Sequence, residues 1–485
     1  MCHADEVSDR TSEQTGTRPH VVVVGGGISG LAAALRLRTL RPGVDVTVLE
    51  GSPRLGGSLR VEEVGGVRVD VGAEAVLHRR PEATGLAREV GLGEDLVHPA
   101  TTAAQLWNRG RLVRLPRTLM GVPTDLRSLD GVLSPAGVAR AALDAVLPAT
   151  ELGEEDVSVG HLVEERLGAE VVDRLVEPLL GGVYAGHARE ISARAAVPQV
   201  VALLARDRAL SRAARDALPP ADQPVAPVFA GLRGGVGRLP GAVAAAATAA
   251  GVTVRTGATV RDLGRRPGDG WHLVVGSAHD PELVAADAVV LATPGRATAR
   301  LLSDVAPAAA LTLARLDLAS VAIVTLAVRA ADLPPVAGSG FLVPPVDGRA
   351  IKASTFSFAK WAWVREAGAA DDVLLLRCSL GRHREEEVLQ RGDDELAALA
   401  VADLGEAVGT TVHPVDVHVQ RWGGALPQYA VGHLDRVASV RREVGRLPGL
   451  AVCGSAYDGV GVPACIASAE LAVAEVLLRL DTMGP

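Results

Sequence analysis

Residues 21–30 read VVVVGGGISG: an apolar run, three glycines, then a stretch with helical spacing. Gly25-x-Gly27-x-x-Gly30 is the pattern by which a strand turns tightly into a helix and lets a pyrophosphate approach its backbone amides. Gly25, Gly26, Gly27, Ile28, Ser29 and Gly30 are therefore candidate phosphate contacts. Glu50 ends the next strand, 20 residues beyond Gly30, where a carboxylate accepts hydrogen bonds from ribose hydroxyls, with Gly51 beside it. In a chain with 54 glycines the pattern alone decides little, and a ligand-free glycine turn is the plain alternative. Its weight comes from the strand before it and the helix after it. NAD and FAD both remain open on this motif.

A second strand, glycine turn and helix lie at VCGSAYDGVGVPACIASAE, residues 452–470. Pro463 suits a first helical turn, where its missing N–H has no partner to lose. The ordered triads and carboxylate pairs of hydrolytic chemistry are absent. The four cysteines (Cys2, Cys378, Cys453, Cys465) form no CxxC pair and no metal spacing with histidine, so no metal site is expected. Lysine occurs only at Lys352 and Lys360, so the chain's positive charge is almost all arginine.

The elements that must position these residues are those of a multi-domain globular chain. A length of 485 residues exceeds one ordinary core, and 48% apolar with 22% charged residues is a normal globular balance. A net charge of −8 argues against nucleic-acid binding. Residues 1–18 are polar, with no apolar core of a secretory signal, and no apolar run approaches the roughly 20 residues of a membrane span. A cytoplasmic protein, at most peripheral to a membrane, is expected. Strands are expected at His20–Val24 and Val44–Leu49 around a helix over Ile28–Leu40, then a helical stretch from 116 to 215 and a Pro-rich linker over 217–229. Strands return over 251–293 and, longer and alternating, over 310–420, and the final segment 448–480 is again strand, turn and helix.

Further motifs carry a resemblance. Arg54-Leu-Gly56-Gly57, followed by Gly72, Ala73, Glu74 and Ala75, is similar to the RxGG signature and strand–turn of flavin oxidases in the amine-oxidase-like superfamily, which implies FAD rather than NAD. GATVRDL (257–263) resembles the strand whose backbone meets the adenine, at Val260, and ADAVVLATP (286–294) the strand that closes the FAD sheet. Several stretches resemble one family, the FAD-dependent porphyrinogen oxidases of haem biosynthesis: LWNRGRLVRLPRTLMGVPTDL (106–126), LVEPLLGGVYAGHAREISARA (175–195), FAGLRGGVGRLPGAV (229–243), KASTFSFAKW (352–361), RWGGALPQYAVGH (421–433) and YDGVGVPACI (457–466).

That resemblance implies a fold of class α/β plus α+β. A Rossmann-like FAD domain would be built from 19–84, 230–300 and 420–485, and a mixed-sheet substrate domain from 85–115 and 301–419. The helical subdomain and linker would span 116–229, behind a disordered tail, 1–18. It implies conversion of coproporphyrinogen III to coproporphyrin III, with hydride passing to flavin N5 and O2 reoxidising the flavin to give H2O2. Protoporphyrinogen IX oxidation is the alternative, and a flavin amine oxidase the more distant one. Amine oxidases use aromatic rings and a lysine at the flavin; three tyrosines supply few rings, although Lys352 keeps the idea open. A non-catalytic FAD scaffold is the reading from another class.

By the same resemblance Trp422 takes the place of an aromatic near the flavin, with a core tryptophan as the plain alternative. The resemblance implies that Val460, Gly461 and Val462 approach the ring, with the helix after Pro463 aimed at it; a plain turn before a carboxyl-terminal helix is the alternative. Arg79 and Arg80 are the first candidates for the substrate's propionates, ahead of Arg109, Arg111 and Arg114, because a guanidinium binds carboxylate bidentately. Tyr184 is a candidate cavity residue with a packing role as its alternative, while His187 and His433 read as ordinary surface or core histidines. The implied partners are a porphyrinogen and O2, with room for a transient contact to a downstream haem-pathway enzyme.

Overall fold

Val21 to Val24 are buried on both faces of their strand, as the central strand of a parallel sheet must be. The computed structural model describes residues 18–150, 152–219, 226–267 and 269–482. The tail expected over 1–18, Arg18 excepted, lies outside the described residues, as does the middle of the Pro-rich linker, 220–225. Strand β1 (His20–Val24) passes through the first glycine turn into helix α1 (Ile28–Leu40) and strand β2 (Asp45–Leu49). In chain order there follow helix α2 (Glu177–Tyr184) and strands β3 (Thr253–Arg255), β4 (Ala288–Leu291) and β5 (Leu318–Arg329). Strands β6 (Ile351–Thr355), β7 (Val373–Leu380), β8 (Pro414–Pro427) and β9 (Leu450–Val452) come next, and helix α3 (Val462–Thr482) closes the chain.

Three distant stretches of chain build one parallel sheet in the order β3-β2-β1-β4-β9. Parallel pairing brings the carboxyl ends of β1 and β9 to the same edge, with only β4 between them. Helices α1 and α3 both start there, and they share one apolar core through Leu31, Leu35, Cys465, Ala469 and Val473. In open α/β sheets this edge is where ligands bind. The mixed α/β class expected from the sequence is the class the chain adopts.

A seven-stranded sheet stands apart from the first, in the order β8-β5-β7-β6, then Gly340–Leu342, Gln105–Asn108 and Arg111–Arg114. It is antiparallel except where Gly340–Leu342 runs parallel to Gln105–Asn108. The boundary expected between 419 and 420 falls inside β8, so Trp422 belongs to this sheet. The strand continues through Gly423-Gly424, although glycine pairs favour turns. Gly424 takes φ +56° near an irregularity opposite Ser320, whose Oγ accepts its N–H at 3.0 Å.

The helical part carries its starts in the sequence: Ser134, Ser158 and Ser192 cap helices by accepting from the N–H groups of Gly137, His161 and Ala195. Its core holds one buried ion pair, Arg166 Nε to Asp144 Oδ1 at 2.9 Å. The carboxylate also accepts from Leu210 N, Ser211 N and Ser211 Oγ, at 2.7 to 3.1 Å.

Candidate active site

Helix α1 begins at Gly27 with no side-chain cap and no acidic residue in its first turn, which leaves its positive end open to an anion. Gly25 (φ +111°) and Gly30 are required by the fold itself: a Cβ on Gly30 would collide with the Gly25 carbonyl oxygen. Gly27 is different. Its φ is −74° and a Cβ there would meet no atom within 4 Å, so the protein makes no demand for glycine and the open space above it does. Ser29 and Ile28 are nearly buried beneath the turn.

The turn carrying Arg54 and Gly57 docks on the first one. Gly56 N donates to Gly26 O at 2.8 Å, Gly27 bridges Gly56, and Gly57 lies against Gly27 Cα. Arg54 donates to Gly57 O at 2.6 Å and to Leu55 O at 3.1 Å, and burial with Arg60 nearby lowers its pKa. Glu50 accepts Gly26 N at 2.6 Å and Ser52 N at 2.7 Å, one on each oxygen. A carboxylate has about four lone-pair sites, so two remain for hydroxyls. Gly51 is exposed beside it, and Ala258 N donates to Glu50 O, which draws the strand beginning at Val260 toward the same edge.

Trp422 and the strip Gly72–Ala75 form a second group. Trp422 Nε1 donates to Val71 O at 3.0 Å, its ring lies 5.9 Å from the Arg54 guanidinium, and a Cβ on Gly72 would strike Ser58 O. Glu74 sits in an ion-pair network that the sequence reading missed: Lys360 Nζ at 2.6 Å and Arg377 Nη1 at 2.8 Å. Burial alone would push the Glu74 carboxyl up, but the two cations outweigh it and hold its pKa at about 2. Arg377 also donates to Gly72 O. Lys360, one of only two lysines, was a signal available in the sequence; Arg377, one arginine among many, was not.

The second glycine turn lies beside the first, where Gly454 approaches Ser29 Oγ. Gly461 N-caps α3 in effect, its carbonyl accepting from Cys465 N at 3.0 Å. Like Gly27, Gly461 has no positive φ; it is exposed, and the nearest atom to an added Cβ is Pro463 Cδ at 3.8 Å. Val460 packs on the helical core near Tyr184 and Tyr429, and Val462 is buried at the start of α3. Tyr184 is buried, 5.6 Å from the Tyr429 ring, which stacks on His433 at 3.8 Å. Burial lowers His433 to about 4, so it is a neutral core histidine.

The arginines expected to meet substrate do not converge. Arg79 is exposed, Arg80 pairs with Glu82 at 2.5 Å, and Arg111 and Arg114 lie exposed on the last strand of the seven-stranded sheet. Arg109 ties its turn to Val132 O and Glu170. Lys352 does not reach Trp422. Trp422 on β8 pairs with Val321 on β5, the neighbouring Ala322 with Leu380 on β7, and Leu380 with Ile351 on β6. Three strand spacings are roughly 14 Å.

An extended dinucleotide fits these residues. Two glycine turns with open space over Gly27 and Gly461 face one sheet edge, Glu50 keeps lone pairs free, and the Gly72–Trp422 wall continues the line toward a ring.

Comparisons with known proteins agree. The chain matches the family described as flavin containing amine oxidoreductase over residues 28–477. It is 40% identical to a Mycobacterium tuberculosis protein named coproporphyrinogen III oxidase, covering 95% of this chain and 97% of that one. It is 30% identical to the protoporphyrinogen oxidase of Macaca fascicularis, over 94% and 98%. A solved structure from Exiguobacterium sp. 255-15 superposes with a TM-score of 0.84 at 31% identity, over 96% and 99%. With its cofactor FAD, the chain is an oxidoreductase that belongs to the flavin containing amine oxidoreductase family, in the branch of the porphyrinogen oxidases.

Proposed function

We propose that the protein oxidises coproporphyrinogen III to coproporphyrin III with O2 as the final acceptor. The observation that carries this reading is the 40% identity, along nearly the whole chain, to relatives named for that reaction. Bound FAD supplies hydride acceptance at N5 and transfer of the electron pair to O2, giving H2O2. The chain's residues bind and orient. Gly25–Gly30 and the docked Arg54–Gly57 turn hold the pyrophosphate, Glu50 the ribose, and the backbone at Val260 the adenine. Gly72–Ala75 and Trp422 wall the ring, and the amino end of α3 at Val460–Val462 lends it partial positive charge. The Glu74–Lys360–Arg377 network fixes that wall by holding Gly72 O and the strip on both sides. Tyr184 closes the apolar side by packing rather than by proton transfer, since burial pushes its hydroxyl up to about 12.

Protoporphyrinogen IX is the second reading, favoured by the Macaca relative. A yellow purified protein should consume O2 with a porphyrinogen, release one H2O2 per O2, and ignore primary amines. Oxygen uptake with amines and none with porphyrinogens would overturn the reading.

A further inference from the structure

Among the described residues four arginine and lysine side chains are deeply buried: Arg166, Lys352, Arg377 and Arg382. Two of them carry a buried carboxylate, Asp144 for Arg166 and Glu74 for Arg377, at 2.9 and 2.8 Å. The other two lie together and neither is ion-paired to a buried carboxylate; the buried Glu177 of α2 acts on Arg382 only from beyond pairing distance. Lys352 (4% exposed) donates from Nζ to Gly381 O at 2.8 Å. Arg382 (6% exposed) donates from Nη2 to Val343 O at 3.1 Å, and its Nε is 3.9 Å from Glu385, whose carboxylate is half in solvent. An ammonium has three donors and a guanidinium five, so most of their hydrogen-bonding capacity is unspent. Two like charges taken out of water without a closely paired buried anion are costly, and an arriving carboxylate is what would offset that cost. Burial together with Arg382 already lowers Lys352 to about 7.

The surroundings place the pair on the side of the sheet that leads to the cofactor's wall. Lys352 sits at a bulge of β6, between the paired residues Ile351 and Ala353, and bulges re-aim side chains beside active sites. Gly181 on α2 faces Arg382, where a Cβ would come within 2.7 Å of Nη1. One helical turn further on, Ala185 packs against Val321 and Trp422, at the wall assigned to the flavin. The two cations thus lie along the same wall, roughly 14 Å from Trp422 by strand spacing.

We propose that Lys352 and Arg382 form a seat for one carboxylate arm of the substrate, anchoring the macrocycle while a bridging carbon meets the flavin. This rests on the porphyrinogen reading above and adds to it the residues that recognise an acidic arm.

The test uses the holoenzyme and the Lys352→Met and Arg382→Gln variants, each checked for FAD content. KM for coproporphyrinogen III should rise about 10- to 100-fold with kcat little changed, the effect of losing one charge-assisted hydrogen bond. Binding of coproporphyrin III and of its tetramethyl ester, read by flavin fluorescence, separates recognition from packing. Wild type should favour the acid by a similar factor and the variants should lose that preference, whereas a structural role would weaken both ligands alike. If Lys352→Met does not retain FAD, Arg382→Gln reads the same carboxylate. Unchanged KM and an unchanged acid-to-ester ratio in a loaded variant would overturn the seat while wild-type turnover leaves the porphyrinogen reading standing. A wild type inert to porphyrinogens would overturn both.

Discussion

Glu74 is taken out of water and kept ionised by Lys360 and Arg377, so its charge is tied to the fold. Its folded pKa of about 2 lies below the ordinary 4.5, so the unfolded chain binds more protons between those values. Stability therefore falls as pH drops from 4.5 toward 2. Glu74→Gln leaves two cations without their anion and should cost about 3–5 kcal/mol at neutral pH, read by denaturant unfolding. The gap between wild type and variant should narrow in acid, and a gap independent of pH would contradict the assignment. Gly461 makes the opposite case. Nothing in the protein opposes a side chain there, so Gly461→Val should fold with a normal Tm as apoprotein and yet fail to retain FAD. Full FAD occupancy with normal turnover would remove Gly461 from the ring site. The same reasoning applies to Gly27, whose open space belongs to the ligand.

At the level of elements, the helical part depends on one buried centre. Asp144 joins Arg166 to the helix start at Leu210 and Ser211 through four contacts. Asp144→Ala strands a guanidinium inside the core and should destabilise by about 3–5 kcal/mol, measured as a lowered unfolding midpoint. Local signals make other elements legible in the sequence alone: the valine run of β1, the glycine turn into α1, and Pro463 at the start of α3. Strand β8 was harder, because Gly423-Gly424 imitates a turn and only the long register with β5 carries the strand through it. Arg79 and Arg80 looked like substrate contacts from their place after the flavin strip. The neighbouring Glu82 takes Arg80, which is a pairing between side chains that sequence order does not reveal. Lys352 and Arg382 are 30 residues apart in sequence and meet only because β6 and β7 pair.

For the whole molecule, the two glycine turns explain each other. They lie more than 400 residues apart in sequence, yet parallel pairing of β1, β4 and β9 sets both helix starts on one sheet edge. One turn is suited to the pyrophosphate and the other to the ring, so a single extended cofactor adds to the sheet and the shared α1–α3 core in joining these segments. Removing FAD should accordingly lower the Tm of the whole protein, and reconstitution should restore it in proportion to occupancy; an apoprotein as stable as the holoenzyme would contradict that joint role. Among the described residues no helix is long and apolar enough to cross a membrane. The central claim is the identity of the macrocycle. The most direct measurement prepares coproporphyrinogen III and protoporphyrinogen IX anaerobically and compares initial rates of oxygen-dependent porphyrin formation by the FAD-loaded protein. The account predicts the faster rate and lower KM with coproporphyrinogen III; a preference for protoporphyrinogen IX would contradict it.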